Sequence, residues 1–144
     1  RVVIDDLTMS GDIIFRMRVN TSGSEETGSN YRSGQINVLA SSSGGSADAS
    51  RKWNQDHFEM INYEIDSEAG NVSAFIIDIF NPLNTATYPY FASRHFVLNS
   101  NRNNLVSGTG SFVFNTAQAI TGIRFKGASG TISTGNFILY GIKD

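Results

Sequence analysis

The sequence predicts an all-β protein, an antiparallel β-sandwich of jelly-roll type with about nine strands and little or no helix. Three observations carry that expectation. Apolar residues alternate with a period of two instead of recurring every three or four positions. Charged residues make up only 17% of the chain while Gly alone contributes 14 residues, a balance that suits turns and strands and disfavours helices. Turn signals rich in Gly, Ser and Asn divide the chain at short intervals. The 144 residues read as one domain spanning 1–144, large enough to bury roughly 70% of its unfolded surface without staples.

In chain order, "DIIFRMRVN" is the first clear strand. Ile13, Phe15, Met17 and Val19 share one face, and Ile14, Arg16 and Arg18 the other, the pattern of a sheet with one wet side. Thr21 to Gly34 reads as a long polar loop whose apolar anchor is Tyr31. "QINVLA" follows as a strand with Ile36, Val38 and Ala40 inward, then "SSSGGSADAS" as a second long loop. In "WNQDHFEMINYEID" the apolar parity changes between Met60 and Ile61, which marks a β-bulge or a boundary between two strands. "NVSAFIIDIF" is apolar on both faces and stops at Asn81-Pro82, which makes it the best central strand. "YFASRHFVL", "GSFVFNT", "AITGIRFKG" and "NFILYGI" complete the set. Glu68-Ala69-Gly70-Asn71 and Gly127-Ala128-Ser129-Gly130 read as hairpin turns between antiparallel neighbours.

The last strand is apolar on both sides, with Phe137 and Leu139 on one and Ile138, Tyr140 and Ile142 on the other. Such a strand either lies centrally or keeps one face for a partner. The central position, hairpinned with "AITGIRFKG", is the expected one, and Ile138, Tyr140 and Ile142 are the candidate subunit interface if it is not.

Chemistry is sparse. The chain has no cysteine, so disulfides and thiolate metal sites are excluded. A formal net charge of −2 argues against nucleic acid as a partner, since that affinity rests on clustered Lys and Arg. No apolar run reaches the ~18 residues of a membrane helix, so no membrane insertion is expected. The opening residues lack a signal-peptide layout, and Arg1 in place of Met reads as a chain processed, truncated or cut from something longer. Nucleophile-elbow, phosphate-loop, zinc-protease and dinucleotide motifs are missing, and the histidines are His57 and His95 alone. No catalytic residue, metal ligand or cofactor is therefore assigned.

Several groups still ask for a role. Glu64, Asp66 and Glu68 alternate and would share a strand face, but their glycine falls late, at Gly70, and no Glu closes a calcium loop. They read as a solvated face, as do Asp5, Asp6 and Asp12. A glycosidase-like pair built from Glu64, Asp66 or Asp78 is the weakest functional reading. Asp78 interrupts an apolar run and needs a cation, for which Arg94, Arg124 and Lys126 are the candidates. Trp53, Tyr88 and Tyr90, with Phe91, lie in or beside loops and are the candidate glycan- or receptor-binding aromatics, with closure of the sandwich core as their structural alternative. Asn20 and Asn71 open glycosylation sequons that matter only in a secreted protein.

The C-terminal segment "AITGIRFKGASGTISTGNFILYGIKD" adds a resemblance. Ile120, Thr121, Ile123, Arg124 and Phe125, followed after a Gly/Ser turn by Thr134, Gly135, Phe137, Leu139, Tyr140, Gly141 and Ile142, are similar to the closing segment of small structural proteins from tailed bacteriophages. Those proteins are tail-fibre, appendage and head-decoration components. Thr134 stands where that pattern usually has Ser. The likeness covers roughly a fifth of the chain. It implies a non-enzymatic protein of the virion surface that acts through contacts with other virion proteins, as a homo-oligomer with a trimer favoured. The alternative it leaves open is a receptor-binding module for host surface carbohydrate.

Overall fold

The computed structural model describes residues 1–68, 70, 73–99 and 104–141. Its secondary structure is β1 (Val2–Met9), β2 (Ile13–Thr21), β3 (Ser24–Glu25), β4 (Tyr31–Ser41), β5 (Gly44–Gln55), β6 (Phe58–Ile65), β7 (Ser73–Phe80), β8 (Tyr90–Leu98), β9 (Leu105–Phe114), β10 (Ile120–Gly127) and β11 (Ile132–Leu139). All pairings are antiparallel, and the strands form two sheets packed as a sandwich. The larger sheet runs β11-β1-β7-β8-β9-β4-β5; the smaller has β10 on one side of β2, with β3 and β6 both pairing to β2 as well. Among the described residues no helix occurs, and none is long and apolar enough to cross a membrane.

β2 supplies the inner face of the small sheet as its alternation requires, with Phe15, Met17 and Val19 fully buried. Aromatic rings from the large sheet meet it and β6. Phe58 packs edge-on against Tyr31 at 4.7 Å, and against Phe91 and Phe112 at 5.3 Å each. Each such pair adds about 0.5–1.5 kcal/mol beyond its buried area. β7 is central as expected, flanked by β1 and β8. The parity change in β6 is a bulge. Ile14 faces Glu64 and Arg16 faces Glu59 across β2, so two residues of β2 span five of β6, and Phe58 through Ile61 are all buried.

Three expectations are corrected. The first concerns β4, whose phase is the reverse of the one expected. Tyr31, Ser33, Gln35 and Asn37 point inward, while Ile36 and Val38 are 63% and 53% exposed. Tyr31 is the cause: its ring lies between Phe58 and Phe114, and its hydroxyl accepts from Val19 N–H (3.2 Å) and donates to Glu26 O (2.8 Å). With that ring inside, the period of two sends the polar residues in. Gln35 and Asn37 are accommodated because β9, next to β4, carries glycine opposite them. Asn37 and His95 both pair across Gly108, and Gln35 and Ser93 both pair across Gly110. A Cβ on Gly108 would come 2.6 Å from Asn37 Oδ1 and 2.8 Å from His95 Nε2. The missing side chain lets His95 Nε2 and Asn37 Oδ1 meet at 2.8 Å over the strand.

The second correction is at 41–50. Instead of a loop, residues from Gly44 onward form β5, paired along the whole of β4. Serine and alanine there are strand residues because β4 supplies the ladder, not because of their own propensity.

The third concerns β11, which does not hairpin with β10. Gly127–Thr131 carries the chain from the small sheet to the large one, where β11 pairs, among the described residues, with β1 alone and forms the outer edge. The crossing is fixed by Ser10 N–H to Thr131 O (2.9 Å), Thr131 N–H to Ser10 Oγ (2.9 Å) and Ala128 N–H to Ile14 O (2.9 Å). Gly130 adopts φ 63°, and a Cβ there would lie 2.6 Å from Ser10 Oγ. The stretch at 68–71 likewise joins strands of different sheets, β6 and β7; of it, Ala69 and Asn71 lie outside the described residues.

Two outcomes follow from the polar rows. Gly108→Ala should cost about 1–3 kcal/mol by overpacking, read from urea unfolding; an unchanged midpoint would remove the row from the explanation. Burial pushes the His95 imidazole down to about 4 from its ordinary 6.5. The native state therefore holds it neutral where the unfolded chain takes a proton. Its contribution is complete above roughly pH 6.5 and fades as pH falls toward 4, on the order of 3 kcal/mol in all. His95→Gln should flatten stability across that window.

Candidate functional site

Two surfaces gather the exposed residues that carry chemistry. The first is the open side of the sandwich, where β10 and β11 are both edges. Along β11 the exposed large apolar groups are Phe137 (42%), Ile138 (44%) and Leu139 (75%), with Tyr140 (49%) directly after. Arg1 and Tyr140 exchange main-chain hydrogen bonds at 2.9 and 2.8 Å, extending the β1–β11 ladder by one pair. The Phe137 ring leans on Phe125 at 5.5 Å, and Phe125 stacks on Phe15 at 5.5 Å. Between the two sheets this leaves a cleft of about 490 Å³, apolar along Val2, Ile79, Ile120, Ile123, Phe125 and Leu139.

Of the expected interface residues, Ile138 and Tyr140 are thus exposed as a partner contact would need. Ile142 lies outside the described residues. The central placement expected for the strand is overturned: β11 has one neighbour, and its far backbone edge is unpaired within the described chain.

The second surface is a depression on the outer face of the large sheet, about 390 Å³ in volume. Trp53 and Tyr88 both line it, together with Arg32 and Arg51. Strand alternation puts Trp53 there, two residues beyond Arg51 on the same face, and a bulge follows it. Ser33 pairs with Lys52 and Tyr31 with Gln55, so β5 has one residue more than β4 in this stretch, and Asn54 takes up the extra length at φ 54°. Trp53 is turned outward, 55% exposed, with the Arg32 guanidinium 4.8 Å from its ring centre.

The other two aromatics do not join it. Tyr90 stacks flat on Phe80 at 4.6 Å, elsewhere on the same face. Phe91 is 1% exposed and belongs to the core, against Phe58. Trp53 lies near the end of β5, beside the turn that leads to β6. The arginines were missed from the sequence. The signal that finds them is the phase of the β4–β5 hairpin, which puts both on the outer face.

The remaining candidates are placed as follows. Asp78 pairs with Arg1 through Nε at 2.7 Å and a second guanidinium nitrogen at 3.2 Å, and of the three cations named for it Arg94 adds a favourable charge. That hydrogen-bonded pair holds its carboxyl below the usual range. Asp66 is buried, and its Oδ1 accepts the Glu68 N–H at 2.8 Å, whereas Glu64 is exposed, so the three carboxylates do not form one solvated face. Among the described residues no group of three or more His, Asp or Glu is arranged to hold a metal ion.

His57 sits between Asp56 (Nδ1 to Oδ1, 2.5 Å) and Glu59 (Nε2 to Oε1, 3.7 Å). Arg18 links this point to β3 through Glu25 at 2.7 Å and through Asp56, and Glu25 also takes Arg124 at 2.5 Å. Glu25 is held below the usual carboxylate range, chiefly by the Arg18 hydrogen bond. The arrangement ties β2, β3 and β10 together.

Comparison of the chain with protein-family models, with curated proteins and with solved structures found no match.

The geometry separates the aromatics by a simple pair of variants. Trp53→Ala, at an exposed position, should change unfolding free energy by less than about 1 kcal/mol, whereas Phe91→Ala should cost about 3–5 kcal/mol. Equal losses at the two positions would contradict the assignment of Trp53 to a surface.

Proposed function

We propose that this chain is a non-enzymatic structural domain that works by protein–protein assembly, and that the assembly contact runs along β11. The observation that carries this reading is the character of that edge. Exposed strand edges are normally blunted by charge. β5, at the opposite edge of the large sheet, carries Asp48, Arg51 and Lys52, and the neighbouring edge strand β10 carries Arg124 and Lys126. β11 reads "ISTGNFIL", with no charged residue. An uncharged edge that ends in exposed Phe137, Ile138 and Leu139 beside an apolar cleft is suited to strand addition or to burial against a neighbour.

The setting we infer is the surface of a tailed-phage particle, as a tail-fibre, appendage or head-decoration component in homo-oligomeric form. The support is the likeness of the Ala119–Asp144 segment to such proteins. Other virion proteins are then the natural further partners.

A second reading is favoured by one specific observation: Trp53 and Tyr88, distant in sequence, line one depression. Exposed rings beside polar groups suit the recognition of a surface carbohydrate, and the two readings are compatible in a fibre component.

Sedimentation velocity across concentration tests the assembly contact. The wild-type chain should associate, and Leu139→Lys should weaken association at least tenfold while leaving the far-ultraviolet circular dichroism spectrum unchanged; a chain that stays monomeric, or a variant that associates equally well, would overturn it. Gold-labelled antibody on phage particles tests the setting. Label on heads or tails supports it, and particles without label reject it.

A further inference from the structure

Resting on the carbohydrate reading just given, we propose that the depression beside Trp53 takes a saccharide bearing a carboxylate, of the sialic- or uronic-acid type, and not a neutral sugar. Four features lead there. First, the shape is made by absence. Gly34 pairs with Ser111 on one side and Arg51 on the other, and nothing lies within 4 Å of where its Cβ would be. The floor is therefore a glycine and a serine, with larger side chains standing around it. At about 390 Å³ the space lies near the lower end of the roughly 300–1,000 Å³ of small-ligand pockets, which suits one or two sugar rings.

Second, the walls supply flat apolar area. Trp53 is 55% exposed and Tyr88 51%. Rings of this kind offer large, rigid contact area to the C–H faces of a pyranose at little cost in conformational freedom.

Third, the charge is of one sign. Two guanidiniums, Arg32 and Arg51, line the depression, and among the described residues no carboxylate does. This occurs on a chain whose formal net charge is −2, so the positive potential is local. Guanidinium is the side chain whose planar fork matches a carboxylate with two parallel hydrogen bonds.

Fourth, Arg32 is already oriented. It lies over the Trp53 ring, and its Nε, shielded from solvent, finds no hydrogen-bond acceptor among the described residues. The Ser111 hydroxyl and the Asn115 amide add neutral donors and acceptors for ring hydroxyls. An acidic peptide would satisfy the guanidiniums but has no pyranose ring to lay against the exposed Trp53 and Tyr88 side chains.

Isothermal titration calorimetry with defined probes tests this. Sialyllactose and a hyaluronan tetrasaccharide are the carboxylated ligands; lactose, a chitin tetrasaccharide and the amide of sialyllactose are the neutral ones; a glutamate-rich peptide is the plain carboxylate. A carboxylated saccharide should bind, with its neutral counterpart at least tenfold weaker. Arg51→Ala, at an exposed position, should weaken binding roughly ten- to a hundredfold, and Arg51→Lys should restore only part of it. Gly34→Val, which fills open space on a strand, should abolish binding with the thermal midpoint retained.

Neutral and carboxylated saccharides binding alike, with Arg51→Ala silent, would overturn the acidic specificity and leave carbohydrate recognition standing. Binding of no saccharide would overturn both. The peptide binding as well as the saccharides would make the depression a simple carboxylate site and also overturn the proposal.

Discussion

The burial of Tyr31 is the constraint on which most of the molecule depends. A phenol placed among Phe58 and Phe114 must have its hydroxyl satisfied. Here the Val19 N–H and the Glu26 carbonyl satisfy it, and burial raises the phenol to about 12. Those contacts tie the start of β4 to β2 across the sandwich. Because side chains alternate strictly along a strand, one fixed ring fixes every residue after it. Ser33, Gln35 and Asn37 are carried inward and Ile36 and Val38 outward. The inward set demands room and partners: Gly108 and Gly110 leave the room on β9, His95 meets Asn37, and the Glu59 carbonyl of β6 accepts from the Gln35 amide. The outward set leaves apolar area on the surface of the large sheet.

The same phase builds the outer face. Gly34 and Arg32 face out because Tyr31 and Ser33 face in, and Trp53, two residues beyond Arg51 on the paired strand, faces out beside Arg32. The opposite side of the molecule is shaped by a different choice, the crossing of the chain between sheets at Gly127–Thr131. That crossing sends β11 to β1 instead of β10, so the two strands end as separate edges with an apolar cleft between them. Charge distinguishes the edges: β5 and β10 carry it and β11 does not. The two candidate surfaces thus follow from chain path and strand phase, not from loops added to a finished scaffold.

Much of this was legible in the sequence where a single strand carries its own pattern. β2 alternates cleanly, β7 is apolar on both faces and lies inside its sheet, and the parity change at Met60–Ile61 is a bulge. What was not legible depends on distant segments. Ile36 and Val38 outweigh Ser, Gln and Asn in any local reading of β4, and only Tyr31 with two glycines some seventy residues on reverses it. β5 is short of strand-forming residues and is made a strand by its neighbour. The partner of β11 lies at the other end of the chain, so a turn-rich Gly/Ser stretch next to it suggested a hairpin that the fold does not contain. At the outer depression Trp53 and Tyr88 were identifiable as exposed aromatics. Arg32 and Arg51 were not, because an arginine in a polar stretch acquires meaning only from the face it ends on.

The claim that the phase of β4 organises both the interior and the exposed surface is tested most directly by thiol accessibility. The chain has no cysteine, so Ile36→Cys and Gln35→Cys each place a single reactive group on one side of the strand. In the native protein a maleimide reagent should label Ile36→Cys quickly and reach Gln35→Cys only at the rate of global unfolding. Rapid labelling at 35 with protection at 36 would contradict the phase, and with it the outward placement of Arg32, Gly34 and the depression they line.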